Sequence, residues 1–322
     1  MKQNSNLRRC TILSTCLAAA LGFMPLRADI LSVSGPNSAP PGSSPPEIMS
    51  APPPDVTDIC VSNWFQQGFN EKQQVTTTKA WSVDGGGTIP QGTTYVNSHM
   101  IFLNDPGIPV KTMSHSNVVW TFDFPIIGVM SDSGGNFEAD STPDFGAAAT
   151  NYTNFPTACG SIPPSDRAAP FAARGLEGAD QYSVLGNTLT LSMTVTQPGD
   201  WIRVLTRGQN VQVDIKPGSY PNCFNINGNG VVPIAVLGSQ TLNVGDINST
   251  SLNFNGLQVR VKPNNQNQCS IKDVNTDGVP DLVCQFQDSA AGWVAGSTAG
   301  SVTGLLNDGT AIRGTDSICI VP

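Results

Sequence analysis

Short runs in which apolar and polar residues alternate recur along much of the chain. Val118, Trp120, Phe122 and Phe124 occupy one side of such a run, and Val119, Thr121 and Asp123 the other. Leu189, Leu191, Met193 and Val195 alternate with Thr190, Ser192 and Thr194. Val211, Val213 and Ile215 alternate with Gln212, Asp214 and Lys216, and Leu257, Val259 and Val261 with Gln258, Arg260 and Lys262. A repeat of two places successive side chains on opposite faces of a sheet, which is the pattern of half-buried strands. Turn-forming breaks such as Pro198-Gly199-Asp200 and Asn307-Asp308-Gly309 separate the runs. No segment shows a convincing amphipathic helical repeat, so the chain is expected to be all-β.

The N-terminal end has a different character. Lys2, Arg8 and Arg9 precede an apolar run from Thr11 to Met24, followed by Leu26-Arg27-Ala28. This basic, apolar, small-residue order predicts a signal peptide over residues 1–28, and the run is too short to span a bilayer. Residues 29–57 are expected to be a disordered linker, since Pro and Ser crowd the stretch from 34 to 57. The remainder predicts two β-sandwich domains of jelly-roll or immunoglobulin-like type, at 58–208 and 209–322.

Charge and cysteine content narrow the setting. Of the 16 basic residues four lie within 1–28, so the processed chain carries 12 against 24 acidic residues, a net charge of −12. Such a surface disfavours nucleic acid and anionic membranes. Cys60, Cys159, Cys223, Cys269, Cys284 and Cys319 remain, an even number that reads as disulfides in an exported protein. Sequence leaves fifteen pairings open; the expected set is Cys60–Cys159, Cys223–Cys319 and Cys269–Cys284, each within one domain. Export to the extracellular space is expected, with the periplasm or cell surface as alternatives.

One segment carries recognisable chemistry. Within "CSIKDVNTDGVPDLVC" (269–284), Asp273, Asn275, Asp277 and Asp281 stand at loop positions 1, 3, 5 and 9. Gly278 permits a tight turn at position 6, and the carbonyl of Val279 supplies an oxygen at 7. A hard divalent cation takes several oxygens from a short, curved loop, which makes Ca2+ the expected occupant. At an effective dielectric near 20, two carboxylates about 4 Å apart repel by roughly 4 kcal/mol, which a cation would offset. The competing reading is an Asp/Asn/Gly turn capped by its own side chains. Cys284 at position 12 and Pro280 at position 8 depart from an EF-hand, so strand–loop–strand is expected, with Asp281 as a direct ligand.

The loop resembles the D-x-[DN]-x-D-G-x-x-D-L calcium loops of integrin-type β-propellers and, more distantly, those of dockerins and thrombospondin type 3 repeats. The segment from "VDIKPGSYPN" (213–222) to "IRGTDSICIVP" (312–322) resembles uncharacterised secreted bacterial modules. "FNEKQ" (69–73), "RGLE" (174–177) and "GDWIRVLT" (199–206) are similar to segments that accompany such modules. The resemblance implies a secreted β-rich architecture and brings no activity with it.

Catalytic signals are sparse. His99 follows Ser98 and His115 follows Ser114, but neighbours on a strand face opposite ways, and no G-x-S-x-G elbow accompanies them. Glu71 and Glu177 stand in distinctive segments and could form a second cation site with Asp180 or Asp200, or pair with Arg174. Trp64, Trp81, Trp120, Trp201 and Trp293 are candidates for sugar stacking; Trp120 is expected in the core, Trp81 and Trp293 nearer the surface. The reading that follows is a secreted, non-catalytic, calcium-stabilised protein that binds or adheres to an extracellular glycan, matrix or cell-surface ligand. A carbohydrate-binding accessory protein is the alternative. A glycoside hydrolase-like enzyme with two facing carboxyls comes third.

Overall fold

The structure is a computed structural model that describes residues 28–39, 43–56, 63–104, 112–152, 174–196, 199–225, 230–288 and 296–321. The expected signal peptide (but for Ala28), Cys60, Cys159 and Trp293 therefore lie outside the described residues. The N-terminal part contains β1 (Ile30–Ser34), β2 (Glu47–Ile48), β3 (Gln67–Asn70), β4 (Trp81–Val83), β5 (Gly87–Ile89) and β6 (Val96–Leu103). It continues with β7 (Met113–Phe122), β8 (Ile126–Met130), helix α1 (Asn136–Phe145), β9 (Gln181–Leu185), β10 (Thr188–Val195) and β11 (Asp200–Asn210). Next come β12 (Val213–Ile215), β13 (Cys223–Asn225), β14 (Val231–Val236), β15 (Ile247–Phe254) and β16 (Leu257–Gln258). The last are β17 (Cys269–Lys272), β18 (Asp281–Gln287), β19 (Ala299–Leu306), β20 (Ala311–Ser317) and β21 (Cys319–Val321). The expected all-β class is met but for α1.

The alternating runs bury the face they predict, except that Val261, at the end of the last run, is exposed. Val118, Trp120 and Phe122 of β7 and Leu189, Leu191 and Met193 of β10 are withdrawn from solvent. Both strands belong to an antiparallel sheet ordered β1-β7-β10-β9. That face packs on Ile101 and Leu103 of β6 and Ile202 and Val204 of β11 in a single apolar cluster. The intervening residues of β6 and β11 point the other way: Met100, Phe102 and Trp201 join Phe69 and Tyr152, while Leu205 joins Trp81, Met130 and Phe145. Thus β6 and β11 are covered on both faces, which explains why β6 keeps Asn97, Ser98 and His99 buried among apolar neighbours.

A separate core begins just beyond β11. Val213, Ile215, Ile234, Val236, Leu282 and Phe286 pack against Leu252, Phe254, Val302 and Ile312. The first group comes from the sheet β12-β14-β18-β17, and the second from β15, β19 and β20. The cores change near the expected division at 208, yet hydrogen bonding does not stop there. The last residues of β11, Gly208–Asn210, pair in parallel with Ala311–Arg313 of β20. Arg313 Nη1 lies 2.7 Å from Asp123 Oδ1, and Tyr95 Oη donates to the Thr241 carbonyl, so side chains span the division as well.

Three expectations need correction. Residues 29–57 are not wholly a disordered linker: β1 pairs with β7, placing Ile30 opposite Phe122 and Val33 opposite Trp120. A bulge between Ile30 and Ser32 brings Ile30 and Val33 to the core and leaves Leu31 exposed, and Val56 is fully buried. Second, α1 is present although its sequence lacks amphipathic spacing. It is held through Asp132, whose carboxylate accepts the amides of Asn136 and Phe137, and through buried Glu138, Ser141 and Phe145. Third, Trp81 is buried, 5% exposed, against Phe145 rather than lying at the surface.

Candidate functional site

The acidic loop joins β17 to β18, an antiparallel pair in which Cys269 faces Cys284 and Lys272 faces Asp281. The Cys269–Cys284 disulfide closes the base, and the predicted strand–loop–strand order is what forms. Gly278 adopts φ 87°, a left-handed conformation that favours glycine, and Thr276 shares it at φ 60°. Asp273, Asn275 and Asp277 are exposed.

Their oxygens are already partly employed. Asp273 Oδ2 accepts the amide of Gly278, Asn275 Oδ1 that of Asp277, and Asp277 Oδ1 that of Val279. This is self-capping of the turn, although each ionised carboxylate keeps further lone pairs for other partners. Asp281 departs from its expected role as a direct ligand. It is fully buried; Oδ1 accepts the amide of Gly238 and Oδ2 that of Val274. Two amide bonds to one carboxylate make Asp281 the anchor that ties the loop to the end of β14. Its sequence spacing could not distinguish an anchor from a ligand, because the Gly238 amide comes from a distant segment.

A tighter carboxylate group lies elsewhere. Among the described residues, Glu177, Asp180 and Asp200 bring their oxygens within 4.8 Å of one another. Glu177 and Asp180 sit on the turn before β9, and Asp200 opens β11. The turn is fixed at several points: the Arg174 carbonyl accepts the amide of Trp201, and the amide of Leu176 donates to Ser131. A Cβ on Gly175 would meet the Asp132 carbonyl oxygen, so only glycine lets the turn approach this closely. Asp180 Oδ1 accepts the amide of Thr194 on β10, and Oδ2 that of Glu177. Burial, reinforced by Asp180 and Glu177, pushes Asp200 up to about 9, against the pull of Arg174. Burial and Asp180 also raise Glu177.

Glu71 does not join that trio. Both its carboxylate oxygens bond to Arg203, and it also receives Ser98 Oγ at 2.6 Å and Tyr152 Oη at 2.6 Å. Arg203 donates further to the Glu138 carbonyl and Ser141 Oγ. Sequence reasoning missed Arg203. The signal was its parity with Trp201 and Leu205 in "GDWIRVLT", which points the guanidinium inward. Beside it, Glu138 is buried with neither carboxyl oxygen accepting a bond from another residue, and burial holds its pKa well above the usual carboxylate range.

The histidines are structural partners. His99 donates from Nδ1 to Asn70 Oδ1 and accepts from Thr206 Oγ1 at Nε2, the assignment that its neighbours impose. His115 accepts the Gln66 amide at Nδ1 and donates from Nε2 to the Pro36 carbonyl. Burial lowers His99 to about 3 and lowers His115 as well. Ser98 points to the opposite sheet face from His99, as strand parity requires. The tryptophans offer no exposed pair among the described residues: Trp81, Trp120 and Trp201 are buried and Trp64 is half-buried. The Cys223–Cys319 disulfide joins β13 to β21.

Neither a family model nor a curated protein sequence matches the chain. Among solved structures, the N-terminal domain of the Streptococcus gordonii adhesin Sgo0707 aligns over 85% of this chain and 100% of its own. The identity is 7% and the TM-score 0.18, too low to carry an argument about fold or function.

Proposed function

We propose that the chain is a secreted, non-catalytic extracellular binding or adhesive protein, built as two β-sandwich domains and stabilised by calcium at the 273–281 loop. The observation that carries the calcium reading is the build of the β17–β18 hairpin. A disulfide closes its base, buried Asp281 anchors its tip to Gly238, and Asp273, Asn275 and Asp277 present oxygens to solvent. In this reading Asp273, Asn275, Asp277 and the Val279 carbonyl are the ligands, with water completing the shell, while Asp281 positions the loop. Extracellular calcium modules hold their ion with Kd around 10⁻⁴–10⁻³ M, a range suited to a permanent structural ion outside the cell.

The non-catalytic part is supported by where the reactive side chains lie. His99, His115, Glu71 and Arg203 are buried with their polar atoms committed to neighbours. A group that acts on substrate must come within hydrogen-bond reach of it. Adhesion fits the net negative charge and the disulfide-bonded β-rich build, with a glycan, matrix or cell-surface component as the partner class.

Two measurements test the reading. Calcium should raise the melting temperature of the secreted chain and protect amides 274–279 from hydrogen exchange, and Asp277→Ala should remove that protection. Equal exchange at those amides in calcium and in chelator defeats the calcium assignment. Glycan-array and matrix-protein panels should show binding without change in the ligand; cleavage of a bound glycan would overturn the non-catalytic reading.

A further inference from the structure

We propose that Glu177, Asp180 and Asp200 form a second site, distinct from the 273–281 loop, for a divalent oxygen-preferring cation of the calcium type. Acidic side chains often gather at surfaces without an ion, so proximity alone would not suffice. The additional observation is Asp200 Oδ2. Asp200 is 3% exposed, its Oδ2 is buried without a hydrogen-bond partner, and its carboxylate is one of the three that converge. A buried, unpartnered carboxylate oxygen is costly, more so than a neutral polar atom in the same place. A cation at the focus of the three side chains supplies the missing partner.

The charge balance specifies the ion. With an ion holding all three carboxylates ionised, they face one nearby guanidinium among the described residues, that of Arg174, which is itself buried against the Trp201 ring at 4.4 Å. Two negative charges then remain, which one divalent ion neutralises. All three side-chain donors are oxygens with no sulfur or imidazole among them, which favours calcium over zinc or copper. Glu177 is exposed and Asp180 half-buried, so the site opens outward and water can fill the remaining coordination positions.

The site also has a mechanical consequence. Asp200 begins β11, in the sheet that contains β6, and pairs with Leu103. Asp180 is bonded to Thr194 of β10, in the facing sheet. An ion held between them clamps the two sheets at one end of their shared core. The site therefore belongs to the N-terminal core, whereas the 273–281 loop serves the other core.

Calcium titration calorimetry on the secreted chain and four variants tests this. Asp273→Ala/Asp277→Ala strips the loop of two carboxylates, so any calcium it still binds reports the trio. One ion per chain is expected in that variant, and none after Asp200→Asn is added. Glu177→Gln, at an exposed position that does not threaten folding, should weaken the remaining site by about tenfold or more, since ligand charge sets calcium affinity. Asp200→Asn alone should melt in chelator no lower than the parent, because the neutral amide relieves the crowding, and should gain less from calcium. Absence of calcium binding in the loop-stripped variant overturns the proposal. So does calcium binding there that neither Asp200→Asn nor Glu177→Gln changes, and if Asp200→Asn does not fold, Glu177→Gln decides alone. Loss of all calcium binding in Asp200→Asn with the loop intact would instead defeat the loop assignment and leave the trio standing.

Discussion

Arg203 grips Glu71 with two parallel contacts, Nε to Oε2 at 2.7 Å and Nη2 to Oε1 at 2.9 Å, and both side chains are fully withdrawn from solvent. Desolvating two charges is expensive, and their attraction compensates only when the remaining lone pairs and protons find partners. Here Ser98 and Tyr152 complete Glu71, while Ser141 and the Glu138 carbonyl complete Arg203. Removing one partner strands the other, so Glu71→Gln and Arg203→Met should each lose about 3–5 kcal/mol in urea unfolding. Tyr152→Phe removes the hydroxyl that donates to Glu71 and accepts the Ala147 amide, and should cost about 1.5–3 kcal/mol or more. The double variant Glu71→Gln/Arg203→Met should cost less than the sum of its parts; strict additivity would mean that the two groups do not act as a pair.

His99 makes one stretch of the acid range destabilising. Its folded-state pKa is lowered to about 3 by burial, while the unfolded side chain titrates near 6.5. Between those values the unfolded state binds the extra proton. Stability conferred by neutral His99 is therefore complete above pH 6.5 and lost on acidification, by about 1.4 kcal/mol per pH unit. His99→Gln keeps a donor and an acceptor but cannot titrate. The difference between parent and variant should narrow steadily from pH 6.5 to pH 5, and a constant difference would show that His99 takes up its proton while folded.

Glu138 acts with the opposite sign. Burial raises its folded-state pKa well above the ordinary value of 4.5, so the folded protein retains a proton that the unfolded chain releases. Its contribution is full below the unfolded pKa and declines as pH rises toward the folded one, by about 1.4 kcal/mol per unit. Glu138→Gln is a neutral near-isostere. It should gain on the parent progressively above pH 4.5, measured as the shift in denaturant midpoint. A gain that does not grow with pH would place an ionised carboxylate at this position.

The two described disulfides should differ in weight. Cys269–Cys284 spans 15 residues and Cys223–Cys319 spans 96. The chain-entropy account assigns about 3 kcal/mol to a loop of the first length and about 4.7 kcal/mol to one near the second. Paired Cys→Ala variants should follow that order in thermal melts of the calcium-free protein. The reverse order would mean that native-state contacts, rather than restriction of the unfolded chain, govern the difference.

Much of this protein was legible locally. Strand faces in β7, β10 and β12 follow from period-two spacing, because a pleated backbone alternates its side chains whatever the surroundings. The β17–β18 hairpin was legible for the same reason, since its turn residues and flanking runs are contiguous. Helix α1 was not, because a packed core and the Asp132 carboxylate hold it in place of amphipathic spacing.

Charged residues could be read only as candidates. "FNEKQ", "RGLEGAD" and "GDWIRVLT" stand out in the sequence, but their relation to one another is a property of β11 in place. Its alternate residues send Arg203 to Glu71 on one face and Asp200 toward Glu177 and Asp180 on the other. Likewise, whether Asp281 ligates or anchors turned on the amide of Gly238, which lies 43 residues away along the chain. Local spacing settles which way a side chain points. Only long-range packing settles what it meets, because the desolvation that gives a buried charge its partner or its pKa comes from segments distant in sequence.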